Sequence, residues 1–210
     1  MDNLPTVFLD IETTGFSQKQ DDIIQIAAKF NNQEFNEYIL PNNQFMHPKS
    51  IKTTGITIKY GRMFLRNQEV STISIDEAIN KFIHFLNNLS NLKVLLIAHN
   101  GHPFDFKFLV RDGYRHNFDI ALKCNIFGFV DTLKLIKNTI NRQSYSLENL
   151  ATGFIPNYNS ENAHNAIHDV RNLRERTNNM GFKHEDFVKI CLEFSEYVEK
   201  SNIKNILNYY

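Results

Sequence analysis

The stretch Phe8-Leu9-Asp10-Ile11-Glu12-Thr13-Thr14-Gly15 decides how the rest of the chain is read. Its first residues continue an apolar run from Thr6, which predicts a strand over Thr6–Ile11. Side chains two apart on a strand face the same side, so Asp10 and Glu12 present two carboxylates together at its end. Two anions held close where solvent is scarce repel, unless they share a proton or meet a cation. Oxygen-only donors suit Mg²⁺ or Mn²⁺ better than zinc. Taken alone, the pair could equally be strand-end acids making surface salt bridges.

Outward from this strand, Asp22–Phe30 and Glu34–Leu40 read as two further strands joined at Asn31-Asn32-Gln33, giving a meander. Pro41–Tyr60 reads as irregular. Ser74-Ile75-Asp76-Glu77 has capping-box form and opens a helix whose apolar positions, Ile75, Ala78, Ile79, Phe82, Ile83, Leu86 and Leu89, keep helical spacing. Leu92–Ala98 is a continuous apolar run, as in a central strand buried on both faces. A helix follows over Pro103–Arg111, then a strand over Asn125–Asp131 and helices around Leu133–Thr139, Ser146–Ala151, Glu161–Thr177 and His184–Tyr197. Strands in a meander, then strands alternating with helices, imply an α/β fold with a mixed sheet. No Ser/Gly/Pro-rich linker divides the 210 residues, so 1–210 reads as a single domain.

Two more acids fall at the ends of apolar elements. In Ala98-His99-Asn100-Gly101-His102-Pro103-Phe104-Asp105, a buried strand runs through an Asn-Gly turn into a helix, and Asp105 sits in the first helical turn, where the macrodipole favours an anion. Strand ends before helix starts are where open α/β sheets collect ligands. In Ala163-His164-Asn165-Ala166-Ile167-His168-Asp169-Val170, Asp169 lies at the edge of a stripe formed by Ala163, Ala166, Ile167, Val170 and Leu173, where a bare carboxylate would be costly. His164 stands at the entry of that helix, whereas His168 points roughly 100° away from Asp169 and reads as a surface residue.

Composition narrows the partners. Lys plus Arg and Asp plus Glu number 23 each, so the net charge is zero, and any polyanion must be met by local patches or bound cations. The longest apolar runs fall far short of a ~20-residue membrane span. No secretory signal is visible, and the two cysteines, Cys124 and Cys191, form no framework or zinc motif. Both point to a reducing, intracellular setting, cytoplasmic or nuclear.

The three acidic segments together resemble a known family. Asp10-Ile11-Glu12-Thr13-Thr14-Gly15 resembles the first motif of the DEDDh, DnaQ-like 3′–5′ exonucleases, Ala98–Leu109 the second, and His164–Asp169 the third, in the same order and at similar wide spacing. Thr54-Gly55-Ile56-Thr57, Val130-Asp131-Thr132-Leu133 and Tyr145–Leu150 resemble lesser motifs of the same family, closest in style to three-prime repair exonucleases and the polymerase epsilon proofreading subunit. The resemblance implies a ribonuclease H-like fold: a five-stranded sheet of order 3-2-1-4-5, strand 2 antiparallel, flanked by helices. It implies hydrolysis of DNA from its 3′ end, single strands preferred, releasing 5′-mononucleotides. It implies two Mg²⁺ ions about 3.5–4 Å apart, replaceable by Mn²⁺. Asp10, Glu12, Asp105 and Asp169 would hold them, with His164 as general base; an ordinary imidazole titrates near ~6.5. Thr13, Thr14, Ile56, Asn100 and Phe104 would touch the terminal nucleotides, and the basic set Lys49, Lys52, Lys59, Arg62 and Arg66 would guide the backbone. Nothing in these motifs reads a 2′-hydroxyl, so an exoribonuclease of the same fold is the rival reading. An inactive, partner-binding module is a second rival, set against the presence of all four acids and the histidine, and a role inside a larger assembly stays open.

Overall fold

The computed structural model describes residues 4–89, 91–141, 143–146, 149–150, 154–155 and 163–207. Strands β1 (Thr6–Thr13), β2 (Ile23–Phe30) and β3 (Gln33–Ile39) form the expected meander, β2 antiparallel to both neighbours. Strands β8 (Val94–Ala98) and β9 (Ile126–Asp131) continue the sheet on the other side of β1, parallel to it and to each other. The five run β9-β8-β1-β2-β3, the order implied by the resemblance. Two short strands extend this core to seven: β7 (Thr72–Ile73) beside β3, and β10 (Leu192–Glu193) beside β9.

Period-two alternation sorts β1 between two cores. Val7, Leu9 and Ile11 face α2 (Ile75–Leu89) and α3 (Asp105–Arg115), packing with Ala78, Ile79, Phe82, Phe106 and Leu109. Phe8 faces the opposite layer with Ile97, Val130 and the stripe Ala166, Ile167, Val170 and Leu173 of α6 (Ala166–Asn179). Asp10 and Glu12 share the parity of Phe8 and so lie at the α6 end of that layer. Helix α2 opens as expected, the Glu77 amide donating to Ser74 Oγ at 3.2 Å.

Three expectations need correction. Pro41–Tyr60 is not irregular throughout: α1 (Pro48–Thr54) has Pro48 at its start and Gly55 at φ +70° after its end, the usual start and stop residues of a short helix. It leads into a three-stranded antiparallel sheet, β4 (Ile56–Lys59), β5 (Arg62–Leu65) and β6 (Gln68–Val70). Second, the segment Glu161–Thr177 is not one helix around His164. Residues 161–162 lie outside the described residues, helix α6 starts at Ala166, and His164 precedes it with φ +60°. Third, His184–Tyr197 breaks into α7 (His184–Ile190), β10 and α8 (Phe194–Lys200). The open edge of β9 recruits Leu192–Glu193, and Gly128 permits the approach: a Cβ there would sit 2.4 Å from the Leu192 carbonyl oxygen. The expected helix at Ser146–Ala151 falls partly outside the described residues. The remaining helices are α4 (Asp119–Asn125), α5 (Thr132–Thr139) and α9 (Ile203–Leu207). No helix among the described residues is long and apolar enough to cross a membrane.

Candidate active site

The site forms where β1 parts from β8. Their parallel pairing ends at Phe8 and Ile97, while β1 stays paired with β2 as far as Glu12 and beyond. The Ile11 amide, left without a strand partner on that side, donates instead to Asp105 Oδ1 at 3.0 Å. This bond fixes the first turn of α3 against β1. The opening so created is a cleft of about 440 Å³. Asp10, Glu12, Asp105, Asp169 and His164 all line it, together with Thr13, Asn100 and Phe104.

The electrostatics of the cleft are adverse for the bare protein. Burial pushes the Asp10 carboxyl well above the ordinary carboxylate range, and the charges of Asp105, Asp169 and Glu12 push it further. Glu12 is raised by burial, then by Asp169 and Asp105. Asp105 is raised to about 7, burial outweighing the two backbone amides that favour its anion. Glu12, His164 and Asp169 bring one donor atom each to within 4.8 Å of one another. Carboxylate oxygens that repel one another around a common space, with one imidazole beside them, fit a hard divalent cation. The donors brought that close are those of Glu12, His164 and Asp169, and Asp10 and Asp105 line the same cleft.

The two histidines of the third segment separate. His164 is exposed, lines the cleft and joins Glu12 and Asp169. His168 does not line the cleft, and burial with nearby Arg171 and Arg66 lowers its pKa.

Two expected substrate contacts stand elsewhere. Thr14 is buried; its hydroxyl donates to Asp21 Oδ1 at 3.1 Å and accepts from the Asp22 amide at 3.0 Å, which ties down the 14–22 loop. Ile56 is fully buried with Ile24, Met46 and Met63 beneath the small sheet. Ser50, Thr53 and Thr54 of α1 line the cleft on that side instead. Phe16, which the sequence reading passed over, forms the lip. Its ring lies 6.0 Å from that of Phe104, and the Lys49 ammonium sits 5.0 Å from its centroid.

Behind the cleft stand buried polar residues: Asp131 of the Val130–Leu133 motif, and Gln25 and Asn165, whose roles the sequence did not announce. Asp131 caps α5, taking the Leu133 amide at 3.0 Å, and holds the turn of the second segment through the amides of Asn100 at 2.8 Å and His102 at 3.2 Å. On the other flank, fully buried Gln25 sits opposite Glu12 on β2. It accepts from the Ala166 amide at 3.2 Å and donates to Asn165 Oδ1 at 3.3 Å, while Asn165 donates to the Tyr38 hydroxyl at 2.9 Å. The start of α6, and with it His164 and Asp169, is thereby fastened to the sheet. A lone amide in the apolar run Ile23-Ile24-Gln25-Ile26-Ala27-Ala28 was the available signal.

The family model RNase_T, described as exonuclease, matches residues 7–175. The chain is 31% identical over 160 residues to a PolC-type DNA polymerase III of Thermotoga petrophila, covering 71% of this chain and 10% of that protein. It is 27% identical over 177 residues to the chloroplastic/mitochondrial exonuclease DPD1 of Arabidopsis thaliana, covering 80% of this chain and 53% of that one. Among solved structures, E. coli exonuclease I in complex with a dT13 oligonucleotide shares the fold with a TM-score of 0.61 at 17% identity, over 99% of this chain and 43% of that one. The chain thus spans about a tenth of the polymerase and about half of the exonucleases. The family model takes in all three acidic segments, and the chain belongs to the DEDDh, DnaQ-like family of 3′–5′ exonucleases.

Proposed function

We propose that the chain removes 5′-mononucleotides one at a time from the 3′ end of single-stranded DNA, with two Mg²⁺ ions held by Asp10, Glu12, Asp105 and Asp169 and with His164 as general base. The observation that carries this reading is the convergence of four carboxylates and one exposed imidazole on a single cleft. The pKa values of Asp10, Glu12 and Asp105 are driven up by burial and mutual repulsion. Such a cluster is costly in the bare protein and becomes favourable once divalent charge enters. When bound, the ions would supply Lewis-acid stabilisation of the phosphate and make water easier to deprotonate.

The chain's own residues do the rest. His164 lies at the cleft wall beside Glu12 and Asp169, placed to take the proton of an attacking water as its oxygen bonds to phosphorus, the P–O bond to the 3′ oxygen of the preceding nucleotide breaks, and that oxygen leaves and takes up a proton. The backbone of Asn100, held in its left-handed conformation by Asp131, shapes the floor. Phe16 and Phe104 at the lip offer apolar rings to the terminal bases, where stacking is worth ~1–3 kcal/mol per base. Lys49 stands over Phe16 and adds a positive charge beside the lip for a phosphate to meet. Support for single-stranded DNA comes from the shared fold of E. coli exonuclease I, crystallised with a dT13 oligonucleotide.

The test is a time course on 5′-labelled and 3′-labelled strands of one sequence, as DNA and as RNA, with Mg²⁺ or EDTA. Stepwise shortening of the 5′-labelled DNA and immediate loss of the 3′ label, both abolished by EDTA, are expected. A strong preference for the RNA strand, or degradation that persists in EDTA, would contradict the reading.

A further inference from the structure

The small sheet β4-β5-β6 ends in a loop whose chemistry the fold does not use. Lys59 pairs with Arg62 across β4 and β5, leaving Tyr60-Gly61 as a two-residue turn with φ +53° and +73°. Positive φ at both central positions is the mark of a type I′ turn, for which Asn-Gly is the favoured pair. A tyrosine there is strained, because its Cβ crowds the backbone in the left-handed region. It receives nothing in return from packing: Tyr60 is 100% exposed. Lys59 and Arg62 on either side are exposed as well, Arg62 holding only a surface pair to Glu69 at 3.3 Å.

The turn is connected to the cleft by a series of contacts. Phe104 and Phe16 form the lip. Behind Phe16, Gly15 lies so close to His47 that a Cβ on the glycine would come within 2.3 Å of the imidazole. The His47 ring is 5.1 Å from that of Phe45, and the side chain of the preceding residue, Gln44, abuts Gly61, 3.9 Å from where its Cβ would be. Phe16, Phe45 and Tyr60 are 59%, 55% and 100% exposed, three of the five large apolar side chains that stand clear of the surface among the described residues. Lys49 stands over Phe16, and Lys59 and Arg62 flank the Tyr60-Gly61 turn.

We propose that this strip, from Phe16 through Phe45 to Tyr60, is a stacking track for the single-stranded nucleic acid that trails from the catalytic cleft. Exposed rings alternating with cations are what an unpaired strand requires: a π-face for each base and a positive charge near each phosphate. Phe45 and Tyr60 do not line the cleft itself, so the track acts on affinity for longer strands. The inference rests on the exonuclease reading for its direction, since it takes the strand's 3′ end to lie between Asp10 and Asp169.

The test is fluorescence anisotropy of the full chain with 5′-labelled oligothymidylate of about twenty nucleotides in EDTA, beside nucleotide release from the same strand in Mg²⁺. The double variant Phe45→Ala/Tyr60→Ala is expected to bind about tenfold more weakly or worse, and to raise KM for release. Tyr60→Phe, which keeps the ring, binds as the parent does. Tyr60→Asn, which suits the left-handed backbone, folds at least as well and still loses affinity. A blunt duplex, whose bases are already stacked, shows no such loss. Parent-like binding by both the double variant and Tyr60→Asn, or an equal loss in the control Ile120→Ala, would overturn the track. Failure of the parent protein to release nucleotides in Mg²⁺ or Mn²⁺ would instead sink the exonuclease reading, and the anisotropy would still report on the strip.

Discussion

The amide of Ile11 and the carboxylate of Asp105, 94 residues apart in the chain, are joined by a buried hydrogen bond of 3.0 Å. It closes a gap in the strand ladder and places an acid beside Asp10 in the same stroke. Asp105 is therefore a structural acceptor and a candidate metal ligand at once, and substitution separates the roles. Asp105→Asn keeps a carbonyl oxygen for Ile11 and loses the charge; Asp105→Ala strands the amide. Urea unfolding is expected to find the Ala variant less stable than the Asn variant by about 1–3 kcal/mol, with nuclease activity lost in both.

The raised carboxyls make stability depend on pH and on metal in opposite directions. An acid whose folded pKa exceeds its unfolded value binds more protons in the native state, so stability falls as pH rises between the two. For Asp105 that window runs from the ordinary carboxylate range to about 7, with Asp10 and Glu12 shifted the same way. In EDTA this cluster lowers Tm between about pH 4.5 and 7.5. Saturating Mg²⁺ stabilises the protein more at pH 7.5 than at pH 5, because the ion competes with protons for the same oxygens. Thermal melts across that range check it; a metal effect larger at pH 5 would refute it.

Relief of repulsion gives a second stability effect. Asp10→Ala in EDTA at pH 7.5 is expected to melt no lower than the parent while releasing no nucleotide. A variant that unfolds would mean Asp10 serves the fold rather than the chemistry.

His164 and His168 are four residues apart but face different surroundings. His164→Ala is expected to reduce the rate of nucleotide release by about 10²–10⁴-fold, the usual span for a general base, and His168→Ala far less. Equal losses would remove His164 from the proton transfer.

Gln25 touches no substrate on this account, yet it holds the start of α6. Gln25→Leu keeps the volume and leaves the Ala166 amide without its partner. It is expected to weaken activation by Mg²⁺ by about 10–100-fold, the span seen when residues supporting metal ligands are removed. Mg²⁺ titrations of activity check it, and unchanged half-saturation would confine Gln25 to the core.

How far the molecule could be read in advance varied with the physics of each part. Asp10, Glu12, Asp105 and Asp169 were legible because each interrupts an apolar run at its end, and the family resemblance implied the order of the five central strands. The β4–β6 sheet was not, because its strands are four residues or fewer and its turns, Tyr60-Gly61 and Arg66-Asn67, lack the Asn-Gly or Asp-Gly signature. The burial of Ile56 followed from that missed sheet. The break at Cys191 depends on the edge of β9, a partner far away in sequence that no local pattern announces. The left-handed backbone of His164 lies in the same class: Gln25 and Asn165 hold the helix start just after it.

Asp10, Glu12, Asp105 and Asp169 are proposed to hold divalent cations. Titration with Mn²⁺ at pH 7.5, followed by electron paramagnetic resonance, tests this without reference to any substrate. Saturable binding of two ions to the parent protein, and loss of that binding in Asp10→Ala, are expected. No saturable binding by the folded parent, or the same isotherm in the variant, would contradict it.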